Sequence, residues 1–480
     1  MNNTSLIQLL KSFNKDETAR FGSFVNSEYF NRKSAVAKLW SELCSFQPGY
    51  DSPRMTREYI YARVFPGNDF NYGTFKNLVY DLTMLAKRFI EIEHYSAKKI
   101  ECNFNLLEAL LERHVNAFVE KTLVQTGRMI EASFNESEYY RNKFHLSSLK
   151  QNHLIRQDKY YDTTQSSREG NGNITMGYFI DVFQNNYNQL LIRTELDAGP
   201  QESFMKSVLE FYNKVPVEFD FRVRSYYHAV MLIYDGSSSH FYEMKKLVEE
   251  NAAALSHGEK YNFLVALSGY CYVRFEEGDA EFLQDEFGIC RYMIDNGIYS
   301  FGPSQNIDGA FYRNTALSAL KNNEAEWALE FMKKFRYRLN PAVREHYWLH
   351  AFIEYSIRTK QFEQALKALS KIKHSLLIDK IQIKRWELIV NYEMNRLNAL
   401  PYIIDSAKHF IYNDEKLNPL KKERLNSFVL LVSKLLLLRL KKDSGKDIAW
   451  DTYLLKREVD NFRDSGKFWL YEKLSEMNAP

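Results

Sequence analysis

The chain has 480 residues, of which 45% are hydrophobic and 15% aromatic, with only ten prolines. So many apolar residues can bury a large surface, which excludes a largely disordered chain. The 64 basic and 61 acidic residues leave a net charge of +3, so the whole molecule is not a polycation.

The first hundred residues are predicted to form an N-terminal helical region, with loops at 47–53 and 65–70 that contain proline and glycine. After the second loop, apolar residues recur at spacings of three and four, which predicts a long amphipathic helix. Through the motifs Tyr29-Phe30-Asn31, Phe65-Pro66-Gly67 and Asp81-Leu82, region 1–100 resembles uncharacterised bacterial helical-repeat proteins. That resemblance implies no function.

The helices on either side of the second loop also suggest a DNA-reading helix-turn-helix. The second helix would then contact a groove of the DNA through Lys76, Asn77, Tyr80, Lys87 and Arg88. The connection is longer than the usual turn of three or four residues. The alternative interpretation is that these residues lie on the solvent side of a packed helix.

Residues 101–220 are predicted to be an irregular helical region, interrupted by a loop or linker at 163–177. That stretch is rich in serine, glycine and asparagine, which is typical of mobile segments. Gly170 and Gly172 are not followed by the Gly-Lys-Ser/Thr ending of a phosphate-binding loop.

Residues 221–480 show a regular succession of paired helices, clearest at 312–372. One pair contains Tyr312 with Ala328, sixteen positions apart, and the next contains Trp348 with Tyr355, seven apart. An aromatic residue that fills the groove between two helices, and an alanine that lets them approach, are features of a helical hairpin. The pattern resembles the tetratricopeptide repeat.

This resemblance implies an all-α protein, an α-solenoid of stacked antiparallel helical hairpins. Residues 221–480 would form a tetratricopeptide-repeat-like array, and residues 421–479 would supply its C-terminal capping helices. No alternation of period two persists long enough to predict a sheet.

Four basic residues at the end of one predicted repeat are the candidate binding residues. Lys333, Lys334, Arg336 and Arg338 alternate with aromatic residues, an arrangement that can hold phosphates, stack bases or meet an acidic peptide. They also fall in the last turns of a helix, where its dipole favours cations. The alternative interpretation is therefore that these residues stabilise the end of the helix and bind no ligand.

His346, His350 and Glu354 recur every four residues on one helical face. Two such histidines can share a zinc ion, but the Glu that follows the first His of a His-Glu-x-x-His hydrolase is missing. We interpret them as packed or surface histidines and predict neither a metal site nor a catalytic site.

The four cysteines contain no Cys-x-x-Cys pair, so they are interpreted as buried thiols in a reducing compartment. The N-terminus lacks a secretion signal, and the longest apolar run, 428–440, is too short to span a bilayer. These observations predict a cytoplasmic protein without a membrane segment.

The expected function is that of a non-enzymatic scaffold that binds a peptide or protein partner on a helical-repeat surface and needs no cofactor. The alternative is a nucleic-acid-binding or regulatory protein that uses the N-terminal helices or the basic C-terminal section. Residues 361–480 carry 22 basic and 16 acidic residues, whereas residues 201–300 carry 9 and 16. Such an asymmetry can orient a partner.

Overall fold

A computed structural model describes residues 4–132, 136–195, 202–215, 217–302, 306–372 and 377–478. Across these ranges the regular structure is helical, and there is no β-strand. The predicted all-α class is confirmed. None of the helices in the described part of the chain is both long enough and apolar enough to cross a membrane.

The chain divides into two compact units. The first comprises Met1–Ala132 with Leu146–Thr164, and the second comprises Ser133–His145 with Gln165–Pro480. The region boundaries at residues 100 and 220 stay predictions.

The helices up to residue 155 are α1 Ser5–Lys11, α2 Lys15–Val25, α3 Ser34–Cys44, α4 Arg57–Val64, α5 Tyr72–Ala97, α6 Lys99–Glu112, α7 Asn116–Ala132 and α8 Glu136–Ile155. A 3₁₀ turn, Tyr160–Asp162, follows. The remaining helices are α9 Thr163–Glu195, α10 Glu202–Lys214, α11 Phe221–Tyr234, α12 Ser238–Glu250, α13 His257–Glu276, α14 Leu283–Asp295, α15 Gly309–Lys321, α16 Ala325–Phe335, α17 Arg344–Arg358, α18 Phe362–Leu369, α19 Leu377–Glu393, α20 Leu400–Asn413, α21 Pro419–Asp443, α22 Ala449–Asp460 and α23 Gly466–Asn478.

In the first unit, α5 is the central helix, against which α1, α2 and α3 pack. Phe21 and Phe89 are buried there, with their ring centroids 5.3 Å apart. Helix α2 begins with a capping box, because Asn14 accepts from the Glu17 backbone N–H and the Glu17 side chain accepts from the Asn14 N–H. Apolar contacts and local caps therefore account for this core.

The prediction of a loop at 163–177 is wrong, because these residues form the first half of α9. Ser166, Gly170 and Gly177 are buried, at spacings of four and seven that place them on one face of the helix. Small residues let a helix approach its neighbours closely. The composition that suggested a linker serves helix packing instead.

In the second unit, α11 to α20 pack as consecutive pairs: α11 with α12, α13 with α14, α15 with α16, α17 with α18, and α19 with α20. We call the odd-numbered members the first helices and the even-numbered members the second helices. First helices also pack on one another across pairs, as α11 does on α13 and α15 on α17.

Four of the first helices, α13, α15, α17 and α19, are followed by the same left-handed turn. Its residue of positive φ is Gly278 (85°), Asn323 (62°), Lys360 (59°) and Asn395 (55°) in turn. After each, the next N–H donates to the carbonyl five residues back, at 2.7–2.9 Å. This is the Schellman motif, which pairs carbonyls that a helix end leaves without donors.

The aromatic and alanine positions that defined the repeats in the sequence lie in the packed interior. Tyr312, Ala328 and Ala365 are fully buried, and the Tyr312 hydroxyl donates to the Met332 carbonyl at 2.9 Å. Trp348 is partly buried. These residues build the helix pairs.

Candidate functional site

A cavity of about 1150 Å³ lies within the second unit, and we call it the inner cavity. All five first helices contribute residues to its wall. Among the described residues, the second helices contribute only Ala325 and Phe362, each the first residue of its helix. One side of the stacked pairs therefore faces a common space.

Residues of α9 and α10, and residues after the pairs, complete the wall. Among the latter is the segment 464–468, which we call the closing segment. It contacts the end of α13: the Ser465 N–H donates to the Glu276 carbonyl at 3.2 Å, and the rings of Phe468 and Phe275 stack with centroids 5.2 Å apart. A Cβ atom on Gly466 would lie 2.6 Å from the Phe428 ring. Only glycine therefore allows this approach.

The Arg385 guanidinium joins the closing segment to α13 and α19. It forms a short, buried ion pair with Asp464 and lies 3.6 Å from Glu276, with the Phe428 ring 5.8 Å away. Burial alone would lower the pKa of Arg385, but the two carboxylates outweigh it and raise that pKa. Arg385 is therefore a permanent buried cation in the cavity wall.

A second buried ion pair lies nearby. The Lys321 ammonium is 3.7 Å from Glu286 and lies over the rings of Tyr272 and Phe275, at 4.5 Å and 4.2 Å from their centroids. Burial raises the pKa of Glu286, and Lys321 opposes that effect. The two rings help to stabilise the buried ammonium group.

His350 and Glu354 are both engaged by Trp386. The indole N–H of Trp386 donates to Glu354 at 2.6 Å, and its ring lies edge to face with the His350 imidazole at 4.5 Å. Burial lowers the pKa of His350 well below its usual value, so the ring is neutral at physiological pH. No group of three metal-ligating side chains is found in the described ranges.

Several apolar side chains in the cavity wall are exposed to solvent, and two of them lie on α13 and α21. Val273 on α13 is 40% exposed, and Leu420 at the start of α21 is 62% exposed. Near them are Arg274 and Arg424, which both form ion pairs with Glu277, at 3.5 Å and 3.1 Å. This part of the wall can contact both apolar and charged groups of a ligand.

The four predicted binding residues do not line the inner cavity. Lys333 and Lys334 are exposed at the end of α16. Arg336 pairs with Glu345 at 2.7 Å and lies over the Trp348 ring, and Arg338 lies over Phe335 and Tyr299. The two arginines thus have protein partners, and the Lys334 ammonium lies over the Phe335 ring, 5.5 Å from its centroid.

The residues of the possible DNA-reading helix lie on the exposed side of α5. Lys76, Asn77, Tyr80, Lys87 and Arg88 are all exposed, and Arg88 pairs with Glu91 at 3.0 Å. The connection from α4 to α5 spans 65–71, which is longer than a helix-turn-helix turn.

Basic residues of the C-terminal section are partly neutralised by neighbouring carboxylates. Lys434 pairs with Glu458, Lys441 with Asp451, and the buried Lys473 with Glu393 at 2.8 Å. These pairs reduce the positive charge that the section offers to a nucleic acid.

Cys271 and Cys290 are buried in the second unit, which agrees with their interpretation as buried thiols. Burial raises the pKa of both, that of Cys290 to about 12. They are protonated at neutral pH and so are poor nucleophiles. Cys44 and Cys102 are only partly buried.

Sequence reasoning missed Arg385, Asp464 and Glu276 as a group. Arg385 and Asp464 are 79 positions apart, and neither lies in a recognisable motif. The only local signal is Asp464-Ser465-Gly466, which is typical of a turn before a helix.

Comparison of the chain with protein-family models, with curated proteins and with solved structures finds no match. The structure itself is therefore the basis for a functional proposal.

Proposed function

We propose that this chain is a tetratricopeptide-repeat-like α-solenoid that binds a peptide segment of a protein partner in the inner cavity and catalyses no reaction. The observation that carries the proposal is that, along the five pairs, every other helix lines the cavity. Within the five helix pairs, the first helices supply the wall, and the second helices supply only two terminal residues among those that the structure describes. A solenoid of hairpins has such an inner face.

The recurring turn after the first helices supports the same proposal. Asn323 and Lys360 are 37 positions apart, and Lys360 and Asn395 are 35 apart. The tetratricopeptide repeat has about 34 residues. Gly278 precedes Asn323 by 45 positions, and the second helix α14 ends in the same turn at Gly297, so the support comes from the near-equal spacing of the last three turns.

The wall near Val273 and Leu420 indicates the chemistry of the bound segment. An apolar side chain of the partner would bury these two residues, and charged groups beside it would contact Arg274, Arg424 and Glu277. Both signs of charge are present there, which suits a mixed peptide better than a polyanion. Binding of this kind needs no catalytic group.

Site-specific photo-crosslinking in the native host tests this proposal. A benzophenone amino acid at position 273 would lie in the cavity wall, and the same group at position 402 is the matched control. Tyr402 is 80% exposed on α20 and outside the cavity. We expect a protein that is crosslinked from position 273 and not from position 402.

The Val273→Glu variant provides a second measurement on the partner that the crosslink identifies. It should weaken binding of that partner about tenfold or more, because it places a charge where an apolar group binds. Repeated failure to crosslink any protein from the cavity would contradict the proposal. A nuclease-sensitive product from position 273 would likewise contradict it, because the cavity would then hold a nucleic acid and not a peptide.

A further inference from the structure

Two histidines face each other across the first helix pair, outside the inner cavity. His228 lies on α11 and His240 on α12, with their Nδ1 atoms 2.8 Å apart and their ring centroids 5.1 Å apart. Both residues are partly exposed, so an ion in solution can reach them. We call them the histidine pair.

Asp235 determines which nitrogen of His240 carries the proton. Its carboxylate lies 3.2 Å from Nε2 of His240. A carboxylate accepts hydrogen bonds and does not donate them, so neutral His240 has its proton on Nε2 and a lone pair on Nδ1. This lone pair is directed at His228. A carboxylate that orients a histidine in this way is the usual outer partner of a metal-bound histidine.

His228 can offer a second lone pair at the same place. Without an ion, its Nδ1 donates a hydrogen bond to His240, because two facing lone pairs would repel. When the proton moves to Nε2 of His228, both Nδ1 atoms become ligands. Burial, together with His240, lowers the pKa of His228 to about 4. The ring is therefore neutral at pH 7, and no proton has to be released when an ion binds.

The charges around the histidine pair favour a cation. Besides burial, Glu243 raises the pKa of His228 and Arg224 lowers it, which shows that both charges act at this position. Asp235 adds a second carboxylate beside His240. Two carboxylates and one guanidinium leave a net negative charge, which attracts a positive ion.

The separation of the two nitrogens is close to that of a shared metal ion. Bonds from imidazole to a transition metal are about 2.0–2.1 Å long, so ligands at a right angle have their nitrogens about 2.9 Å apart. A tetrahedral ion places them about 3.3 Å apart. The observed 2.8 Å differs from these values by about 0.5 Å or less, so a small turn of each ring is sufficient.

The ligand atoms indicate the class of ion. Imidazole nitrogen suits Cu²⁺, Ni²⁺ and Zn²⁺, whereas Mg²⁺ and Ca²⁺ prefer oxygen ligands. No group of three metal-ligating side chains is found in the part of the chain that the structure describes. Water molecules would therefore complete the coordination of an ion that these two rings hold.

We propose that His228 and His240 bind a divalent transition-metal ion through their Nδ1 atoms, with Asp235 as a positioning residue. The site goes beyond peptide binding, because none of these three residues lines the inner cavity. The bound ion links α11 to α12 and stabilises the first helix pair.

Isothermal titration calorimetry of the full chain with Ni²⁺ tests the proposal, with Mg²⁺ as the control ion. We expect saturable binding of Ni²⁺ and none of Mg²⁺. His228→Gln and His240→Gln should each weaken Ni²⁺ binding at least about tenfold, because one of two ligands is lost. His409→Gln, which removes an exposed histidine on α20, should leave the binding unchanged.

Thermal unfolding provides a second measurement on the same variants. In EDTA it shows that each variant is folded. Added Ni²⁺ should raise the unfolding temperature of the wild type and of His409→Gln, because an ion that binds the folded state stabilises it. It should leave that of His228→Gln and His240→Gln unchanged.

Asp235→Asn tests the positioning role. Asparagine keeps an oxygen for the Ser237 N–H, which donates to Asp235 at 2.8 Å, but it removes the acceptor for Nε2 of His240. The proton of His240 should then move to Nδ1, which ¹⁵N spectra of histidine-labelled protein detect. Ni²⁺ binding should weaken about tenfold. A change of tautomer without a change in affinity would remove Asp235 from the site.

Three results would overturn the proposal. One is the absence of saturable Ni²⁺ binding up to about 1 mM. Another is equal binding by the wild type and both histidine variants, which would mean an adventitious ion only. The third is equal binding of Mg²⁺, since that ion would be held by carboxylates and not by the histidine pair.

Discussion

The two units place their ion pairs differently. In the first unit the pairs Arg20 with Glu93 and Lys33 with Asp81 are largely open to solvent. In the second unit Arg222 with Glu259 and Arg385 with Asp464 are almost completely buried. The second unit also has partly exposed pairs, such as Lys434 with Glu458, so it uses charge for internal positioning in addition to solubility.

Buried pairs are seldom the most stable solution, because removing two charges from water costs several kcal/mol that their attraction must offset. Their presence in the second unit is therefore better explained by position than by stability. Arg385 fixes where the closing segment meets α13 and α19, and a purely apolar contact would specify that position less strictly. The following predictions test this contrast.

The largest effect is expected from Asp464→Ala, which leaves the Arg385 charge buried with only Glu276 nearby. The second unit should lose about 3–5 kcal/mol of unfolding free energy. Denaturant titration followed by tryptophan fluorescence measures it, since five of the six tryptophans lie in that unit.

The matched variant replaces both partners, as Arg385→Met with Asp464→Leu. It should regain most of the lost stability, because no unpaired charge remains. If it is as unstable as the single variant, the loss comes from packing around Gly466 and not from the buried charge.

The two capping boxes provide the next comparison. Glu259 is fully buried, accepts from the Ser256 N–H at 2.7 Å and pairs with Arg222 at 2.8 Å. Glu259→Ala should cost about 2–4 kcal/mol, because it removes a cap and the shortest ion pair of a buried guanidinium, which keeps only the more distant Asp220 carboxylate, at 3.7 Å. Glu17→Ala removes the same cap at the surface of the first unit and should cost about 0.5–1 kcal/mol. Thermal unfolding measures both variants. If they lose the same stability, burial of Glu259 does not explain the larger cost that we expect for it.

Acid should weaken the second unit through His228, whose Nδ1 lies 2.8 Å from Nδ1 of His240. Burial and His240 lower the pKa of His228 from 6.5 to about 4, so the unfolded chain binds a proton that the folded chain excludes. Stability therefore falls as the pH drops from 6.5 towards 4, by about 1–2 kcal/mol at pH 5. Unfolding titrations at pH 7 and pH 5 measure the loss.

The His228→Gln variant removes this titrating group. The pH-dependent loss should then shrink by the same amount, with any remaining loss due to other groups. An unchanged difference between pH 7 and pH 5 would show that His228 is not responsible.

The smallest effect is expected from Lys33→Ala in the first unit. Its ion pair with Asp81, at 2.7 Å, is solvent-exposed, and such pairs contribute about 0–1 kcal/mol. Added salt should reduce even this difference. If Lys33→Ala lost as much unfolding free energy as Asp464→Ala, exposed and buried ion pairs would not differ in their effect on stability.

The sequence predicts elements well where the reason for an element is local. The apolar spacing around Phe75 and Phe89 predicted α5. Helical periodicity and caps act within a few residues, so a single sequence contains them.

Features that depend on distant residues could not be predicted in this way. The glycines at 170 and 177 look like linker residues until their buried positions on α9 are known. The pair of Arg385 with Asp464 joins residues 79 positions apart, and no local pattern marks either of them. The candidate lysines and arginines at 333–338 were chosen by composition, which does not show on which side of the packed helix pairs a residue lies.

The closing segment has a consequence for how the protein is made. Helix pairs contact mainly their neighbours, so each can fold soon after it leaves the ribosome. The contact between Ser465 and Glu276, in contrast, spans 189 positions, and it forms only after all five pairs have been synthesised. Until then the inner cavity is an open trough whose wall contains an arginine that still lacks its Asp464 partner. A nascent chain that stalls between residues 413 and 464 would expose that trough, and chaperones that recognise incomplete proteins would have a defined surface to bind.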